Sequence, residues 1–241
     1  METINLCIDT GNTSIKAGVF IDNLLKEKLL FNSYDELVKW ADSRLFNRII
    51  VSSVKGDEDL LVKMLKVKKV FVFDYTMNSP VINLYKTPQT LGKDRLASVI
   101  GASSVFPGRN CLVIDAGTCI TYDILDSEQN YHGGAISPGL NMRFKALNTF
   151  TAKLPLLSPE TDTPFTGFDT HSSIISGVQN GTVYEINMII AEYSDKYSDL
   201  QVILCGGDSD FFESKIKGAI FAFPDLVLVG LNHTLLYNAH I

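Results

Sequence analysis

The sequence repeats one pattern at a long spacing. Residues 4–20 (INLCIDTGNTSIKAGVF) and 111–125 (CLVIDAGTCITYDIL) each read as an apolar strand, an Asp-x-Gly turn with hydroxyl side chains, and a second strand. Superposing the copies places Asp9 on Asp115, which is 106 positions further along. Solenoid repeats recur every ~20–50 residues, so this spacing predicts two similar domains instead. Two such turns could arise by chance, but the matching strands on both sides favour duplication.

Strand-like and helical segments alternate along the chain, which predicts an α/β fold with mixed sheets flanked by helices. Pro and Gly interrupt the pattern at residues 106–110 (FPGRN), so we expect two domains, residues 1–107 and 108–241. The clearest helical patterns are residues 33–46, which begin with a capping box, residues 94–106, residues 171–198 and the closing stretch 226–240.

The composition argues against several classes of protein. A formal net charge of −6 disfavours a broad nucleic-acid surface, and no apolar run approaches the roughly 20 residues that span a bilayer. The N-terminal stretch has no basic region before its apolar residues, so we expect a cytoplasmic protein. The cysteines form no Cys-x-x-C pair, so we expect free, mostly buried thiols at Cys7, Cys111, Cys119 and Cys205.

The first turn fits two roles, a tight hairpin or a cradle for phosphate and its cation. In the second role, Gly11 lets the backbone approach a ligand without a Cβ in the way. Neighbouring N–H groups, with Asn12 and Thr13, would donate to phosphate oxygens. Lys16 would add a positive charge, and Asp9 would bind Mg²⁺ directly or through water.

The second turn would supply its own groups, Asp115, Gly117 and Thr118, to the other side of the same nucleotide in a cleft between the domains. The sequence has no G-x-x-x-x-G-K-[ST] motif, which excludes a P-loop, and no G-x-G-x-x-G, which weakens a dinucleotide site. A further strand ends in LCGGDS (204–209). These residues suit either a close backbone approach to an adenosine or an ordinary strand-to-helix turn.

The stretch YKTPQTLGKDRLASVIGA (85–102) places Asp94 and Arg95 at the start of a helix. In a purely structural role, Asp94 would cap the helix and Arg95 would pair with a surface acid. In a functional role, Arg95 and the helix end would favour an anionic substrate group. Asp94 would then accept a proton from an attacking hydroxyl. These residues alone do not decide between the two roles.

Taken together, these motifs resemble those of the type III pantothenate kinases, which belong to the superfamily of acetate and sugar kinases, Hsp70 and actin. The matching segments occur in family order over nearly the whole chain. They are DTGNTSIK (9–16), YKTPQTLGKDR (85–95), DAGTCITYD (115–123), GGAISPGL (133–140), FDT (168–170) and CGGD (205–208).

The resemblance implies two similar ribonuclease-H-like (actin-like ATPase) domains with mixed sheets flanked by helices. It implies ATP-dependent phosphorylation of pantothenate to 4′-phosphopantothenate, the first step of coenzyme A biosynthesis. The implied requirements are ATP, Mg²⁺ and either K⁺ or NH₄⁺. The implied assembly is a homodimer, for which the apolar segments MIIAEY (188–193) and LVLVGL (226–231) are candidate interfaces. No nucleic-acid or membrane partner is expected.

The resemblance also implies site residues. Asp94 would be the general base, Arg95 would bind the substrate carboxylate, Asp115 would hold the monovalent cation, and Asp9 would lie near magnesium. Thr170 would contact pantothenate from the neighbouring subunit's side. The implied ATP-binding residues are Asp9, Thr10, Gly11, Asn12, Thr13, Ser14, Ile15, Lys16 and Thr118. The implied pantothenate-binding residues are Tyr85, Gly92, Lys93, Asp94, Arg95 and Thr170.

The chain departs from the common family pattern at one turn. After residues 115–118, Cys119-Ile120-Thr121 stands where Ala-Thr-Thr or a similar triplet is usual, although the departure spares the implied ligands. Two other segments keep open alternatives. GGAISPGL reads as a strand-to-helix corner that either shapes a cleft or is plain turn architecture. Thr170 lies just before a predicted helix, where N-capping competes with substrate binding.

Two other functions fit parts of the pattern. A sugar or short-acyl kinase would share the scaffold, but residues 85–95 resemble the pantothenate group specifically. A non-catalytic accessory factor could keep the fold while losing Asp9, Asp94 or Asp115. This chain retains all three, and its net acidity gives little support for direct DNA contact.

Overall fold

The computed structural model describes residues 2–11, 14–65 and 69–238. The chain forms two compact units that are not continuous in sequence. The first unit contains Met1–Gly108, Glu128–His132 and Asp225–Ile241, and the second contains Arg109–Ser127 and Gly133–Pro224. The segment that closes the chain therefore belongs with the N-terminal unit. The domain boundary after residue 107 stays a prediction.

Strands and helices alternate through both units. The strands are β1 (Ile4–Thr10), β2 (Ile15–Ile21), β3 (Leu24–Phe31), β4 (Arg48–Ser53), β5 (Val70–Val72), β6 (Ile82–Asn83), β7 (Cys111–Ala116), β8 (Cys119–Leu125), β9 (Asn130–Pro138), β10 (Gln201–Cys205) and β11 (Phe221–Ala222). The helices are α1 (Tyr34–Ala41), α2 (Glu58–Met64), α3 (Lys93–Val105), α4 (Leu140–Phe150), α5 (Thr170–Ile175), α6 (Gly181–Lys196), α7 (Ser209–Glu213) and α8 (Leu226–Tyr237).

Both units are built on one sheet topology. In the first, the strand order is β3-β2-β1-β4-β5, with β1, β2 and β3 antiparallel and with β4 and β5 parallel to β1. In the second, the order β9-β8-β7-β10-β11 repeats this arrangement: β7 and β8 are antiparallel, and β10 and β11 run parallel to β7. The repeat seen in the sequence is thus a repeat of topology, and the predicted α/β fold with two mixed sheets is confirmed.

Strands β1 and β4 of the first sheet are buried on both faces, whereas the edge strand β3 is partly exposed. Leu6 and Ile8 of β1 share one face with Ile49 and Val51 of β4, in a core that also includes residues of α1 and α2. On the opposite face, the side-chain amide of Asn5 donates to Asn232 Oδ1 of α8 at 3.0 Å. Successive side chains of a strand point to opposite faces, and in these strands both faces are covered.

Helices α3 and α8 of the first unit pack at very short backbone distance. A Cβ built on Gly230 would lie 1.8 Å from the carbonyl oxygen of Ala97, and one built on Gly101 would lie 2.4 Å from the carbonyl oxygen of Leu226. Only glycine leaves room for two helix backbones this close, so both positions require it for packing.

The helical predictions hold with local corrections. The Ser33 hydroxyl accepts from the Glu36 N–H at 3.3 Å, but the Glu36 carboxylate accepts from the Asn32 N–H, so the capping box is only half formed. The long helix predicted from residue 171 is α5 and α6, joined by a π-helical turn at Ser176–Asn180. The interface expected for LVLVGL is wrong, because Leu226, Leu228 and Leu231 are fully buried within the first unit.

Across the described ranges, no helix combines the length and the apolar character that crossing a membrane requires.

Candidate active site

The first Asp-x-Gly turn joins β1 to β2 in an antiparallel hairpin. The Gly11 N–H donates to the Ser14 carbonyl at 3.1 Å, which closes the turn. Asp9 is 6% exposed and pairs in register with Lys16 of β2, so the two side chains lie on the same face of the sheet. Asn12 and Thr13, which we expect to contact phosphate, lie outside the described residues. The hairpin is established, and the phosphate cradle stays a prediction.

A buried hydroxyl lies beside Asp9. Ser52, at the end of the parallel strand β4, pairs in register with Asp9 and is 0% exposed. Its Oγ has no hydrogen-bond partner among the described residues. A buried polar group in this state costs about 1–3 kcal/mol, so such positions commonly hold a water, an ion or a ligand atom. Sequence reasoning missed Ser52, because its neighbour Asp9 is distant along the chain.

The end of β4 is tied to the start of α3 through side chains. The Ser53 hydroxyl donates to Asp57 Oδ1 at 2.6 Å, and this hydrogen bond holds the pKa of Asp57 below its usual range. The next residue, Glu58, is buried and forms an ion pair with Lys93. The ammonium group of Lys93, which we expect to bind pantothenate, is therefore balanced by an acid of the protein itself. No sequence signal linked Glu58 to this segment.

Asp94 lies in the first turn of α3. The N-cap of that helix is Gly92, so Asp94 does not occupy the capping position itself. The Arg95 N–H donates to Asp94 Oδ1 at 2.9 Å, and a Cβ built on Gly92 would lie 2.6 Å from that same oxygen. Gly92 thus leaves the space that the Asp94 carboxylate occupies. Asp94 is also well placed for the helix dipole, which stabilises an ionised carboxylate at this end.

Arg95 is buried, at 6% exposed, which argues against the surface ion pair considered from the sequence. Its guanidinium carbon lies 5.6 Å from the ring centroid of Tyr85, within cation–π range. The Tyr85 ring in turn stacks on Tyr131, with centroids 6.4 Å apart and planes 8° from parallel. The first unit therefore brings Tyr85, Arg95 and Tyr131 together, and the binding of pantothenate by Tyr85 and Arg95 stays a prediction.

The second Asp-x-Gly turn joins β7 to β8, and two glycines pack against it. A Cβ built on Gly139 would lie 2.0 Å from the Gly117 carbonyl oxygen, and the Gly139 N–H donates to the Thr118 carbonyl at 3.1 Å. Gly206, at φ +95°, would place a Cβ 2.4 Å from Asp115 Oδ1. The GGAISPGL corner and the CGGD turn therefore fix the backbone around Asp115 and Thr118.

The CGGD segment leads from β10 into α7 as a strand-to-helix turn. The Asp208 N–H donates to the Ala116 carbonyl at 2.9 Å, and partial burial raises the pKa of the Asp208 carboxyl. These contacts explain the paired glycines by packing within the second unit. An adenosine contact for the same segment stays a prediction.

Thr170 begins α5 but does not cap it. The cap is Asp169, whose carboxylate accepts from the Ser172 N–H at 2.7 Å in a complete capping box. Thr170 is exposed and lines a cavity of about 860 Å³ with Leu147, Phe150 and Ile174. The N-cap alternative for Thr170 is therefore wrong, and its substrate role stays a prediction.

None of the four cysteines forms a disulfide. Cys7, Cys111, Cys119 and Cys205 are all free, and all but Cys119 are buried, as predicted. Burial raises the pKa of Cys111 to about 12, so this thiol stays protonated and unreactive at neutral pH.

The comparisons with solved structures establish the fold. A conserved Baf family protein of Campylobacter jejuni superposes with a TM-score of 0.67 at 20% identity, covering 98% of this chain and 100% of that chain. A glucokinase from an Antarctic psychrotroph superposes with a TM-score of 0.53 at 11% identity, over 98% of this chain and 99% of that chain. The actin-like ATPase and sugar kinase fold implied by the motifs is therefore confirmed.

The comparisons with sequences establish the family. The type III pantothenate kinase of Christiangramia forsetii is 44% identical over 240 residues, covering 98% of this chain and 99% of that protein. The type III pantothenate kinase of Bacteroides fragilis is 45% identical over 240 residues, with 98% of both chains covered. The family model described as type III pantothenate kinase matches residues 5–192. With two Asp-x-Gly hairpins on a duplicated sheet and a match of this extent, the chain belongs to the type III pantothenate kinase family.

Proposed function

We propose that the protein phosphorylates pantothenate with ATP, giving 4′-phosphopantothenate and ADP in the first step of coenzyme A biosynthesis. The observation that carries this proposal is the family match over residues 5–192, within which all the motif segments but the last, CGGD, fall. The structure is consistent with this proposal, because Gly92 and not Asp94 is the N-cap of α3, and because Arg95 is buried and does not lie at the surface.

In the proposed reaction, the terminal hydroxyl oxygen of pantothenate attacks the γ-phosphorus of ATP in line with the leaving group. The bond between that phosphorus and the β,γ-bridging oxygen breaks, and ADP leaves. Asp94 accepts the hydroxyl proton, and Arg95 binds the pantothenate carboxylate. Tyr85 and Gly92 complete this side of the site, while the hairpin from Asp9 to Lys16 binds the ATP phosphates. Most of the acceleration comes from positioning and electrostatics, as in other phosphoryl transfers.

Lys93 contributes differently from its neighbours in this proposal. Its ion pair with buried Glu58 leaves less positive charge for the substrate. We therefore assign to Lys93 mainly the placement of the α3 N-terminus, where Gly92, Asp94 and Arg95 meet the substrate.

The residues around Asp9 fit a magnesium ion. Mg²⁺ prefers oxygen ligands and keeps several waters. The Asp9 carboxylate and the buried Ser52 hydroxyl, which has no partner among the described residues, supply such oxygens on one face of the sheet. We propose that Asp9 holds the ion directly or through water, with Lys16 near the phosphates. When bound, the ion neutralises charge on the phosphate oxygens.

The residues around Asp115 fit a monovalent cation. Thr121 pairs in register with Asp115, so both side chains lie on one face of the hairpin. The Thr121 Oγ1 is buried and has no hydrogen-bond partner in the described part of the chain. A carboxylate beside an unsatisfied oxygen suits K⁺ or NH₄⁺, and we propose Asp115 as its ligand. Thr118, exposed in the same turn, would contact ATP.

Potassium should therefore activate the enzyme. We expect the rate to fall when K⁺ is replaced by Na⁺ at equal ionic strength, because the smaller ion fits the oxygens formed for potassium poorly. A coupled ADP-release assay measures this, with choline chloride as the control for ionic strength. Equal rates in K⁺, Na⁺ and choline would remove the cation role from Asp115.

We further propose that the protein is cytoplasmic. Free thiols suit a reducing compartment, where ATP is also available.

We also propose that the protein is a homodimer. The second unit exposes three large aromatic side chains, Phe150, Phe165 and Phe168, each more than 80% exposed. Phe150 lines the cavity that contains Thr170, so pairing of subunits through this surface would bury apolar area at Thr170. Light scattering on the purified protein tests this assembly.

The direct test of function is product formation. We expect incubation with ATP, Mg²⁺, K⁺ and pantothenate to yield phosphopantothenate, detected by mass spectrometry. Glucose and acetate serve as control substrates, since the fold is shared with sugar kinases. Phosphorylation of a control substrate with none of pantothenate would overturn the proposal.

A further inference from the structure

Tyr131 lies outside every motif segment that carries the family resemblance. It is one of the largest fully buried side chains of the protein, at 0% exposed. It belongs to the first unit, as do Tyr85 and Arg95. Its ring is the one against which Tyr85 stacks, nearly parallel and with centroids 6.4 Å apart. This distance lies within the range where aromatic pairs attract beyond simple area burial.

The backbone near Tyr131 reinforces the stack. Tyr131 pairs in register with Asn83 of β6, and the Leu84 N–H donates to the Tyr131 carbonyl at 3.0 Å. The next residue, Tyr85, is held by its own N–H, which donates to Asn83 Oδ1 at 3.0 Å. Both the main chain and the ring of Tyr85 are therefore fixed against the strand that carries Tyr131.

We propose that Tyr131 is a positioning residue for pantothenate recognition, acting through Tyr85 on Arg95. Arg95 has a long side chain whose ordering costs conformational entropy. The guanidinium is buried and lies 5.6 Å from the Tyr85 centroid, so the plane of that ring limits where it can point. Tyr131 fixes the ring plane and so aims Arg95 at the substrate carboxylate. The inference rests on the proposed function, because it concerns how that substrate is held.

The test is Tyr131→Leu, with separate KM values for pantothenate and ATP. We expect the KM for pantothenate to rise about 2- to 10-fold, the size of one aromatic stacking interaction, while the KM for ATP changes little. Tyr131→Phe keeps the ring and should leave both KM values near those of the wild type. If the leucine variant does not fold, Tyr131→Met takes its place in this test, because the flexible methionine side chain fills irregular space in a core.

Two controls separate positioning from loss of core packing. Phe73→Leu shortens another fully buried aromatic residue of the first unit that lies outside the stack, so it should lower Tm without a selective effect on pantothenate. The second control is a double-mutant cycle that combines Tyr131→Leu with Arg95→Ala. The single variant Arg95→Ala should raise the KM for pantothenate far more than the KM for ATP. In that background Tyr131→Leu should add almost nothing, because its effect passes through Arg95.

The outcomes are distinguishable. Wild-type protein that forms no phosphopantothenate would overturn the proposed function and this inference with it. If the wild type forms product, an unchanged pantothenate KM in Tyr131→Leu, or equal increases in both KM values, would overturn the inference alone. Additive effects in the double variant would also overturn it.

Discussion

Asp94→Asn should lower kcat by about 10²–10⁴-fold while both substrates still bind, since this is the usual contribution of a positioned general base. The amide retains the size of the carboxylate and an oxygen that can accept from the Arg95 N–H, as Asp94 Oδ1 does at 2.9 Å. It cannot accept the hydroxyl proton of pantothenate, so the chemical step alone should be lost. Single-turnover product formation gives the rate, and isothermal titration with pantothenate gives the affinity.

A matched control distinguishes the base from a helix-dipole effect. Asp35 is also an acid in the first turn of a helix, α1 of the same unit, and it is exposed. Asp35→Asn removes the same charge–dipole interaction and should leave kcat unchanged. A near-normal kcat for Asp94→Asn would remove the base assignment. Weakened pantothenate binding together with a lowered Tm would instead make Asp94 a structural residue.

The sheets and turns could be predicted because their signals are local. A strand that ends in Asp-x-Gly and returns as a second strand places Asp9 opposite Lys16 whatever the rest of the fold does. The same holds for Asp115 opposite Thr121. The position of α3 followed from its own apolar periodicity and from the Pro-Gly pair that ends it.

The supporting contacts of the site could not be predicted, because they join residues that are distant in sequence. Lys93 forms an ion pair with Glu58, 35 positions away in the sequence. Tyr85 contacts Tyr131 although part of the chain between them, Arg109–Ser127, belongs to the second unit. No periodicity marks either partner. Ser52 is hidden for a similar reason, since its relation to Asp9 depends on the register of parallel strands.

The assignment of chain segments to the two units also could not be predicted in full from the sequence. A break at Pro107 and Gly108 is visible in the sequence, but the return of α8 to the first unit is not. Its apolar run is compatible with either an interface or a core. The glycines decide in favour of the core, because Gly230 has the carbonyl oxygen of Ala97 where a side chain would be.

Gly230→Ala should therefore destabilise the protein by about 3 kcal/mol, at the upper end of overpacking effects. The added methyl would overlap the carbonyl oxygen of Ala97 at 1.8 Å and lie 2.9 Å from the Gly101 amide, and a backbone cannot yield as a side-chain tip does. For a chain of this length the loss corresponds to a fall in Tm of roughly 6–12 °C, measured by scanning calorimetry.

Because α3 carries Asp94 and Arg95 at its N-terminus, separation of the helices should also raise the KM for pantothenate. Gly181→Ala is the matched control, since a Cβ there meets no atom of the described residues within 4 Å and the residue is helical at φ −58°. Gly181→Ala should raise the free energy of unfolding by up to about 1 kcal/mol, because alanine has the higher helix propensity. An unchanged Tm in Gly230→Ala would mean that α3 and α8 do not pack at this distance.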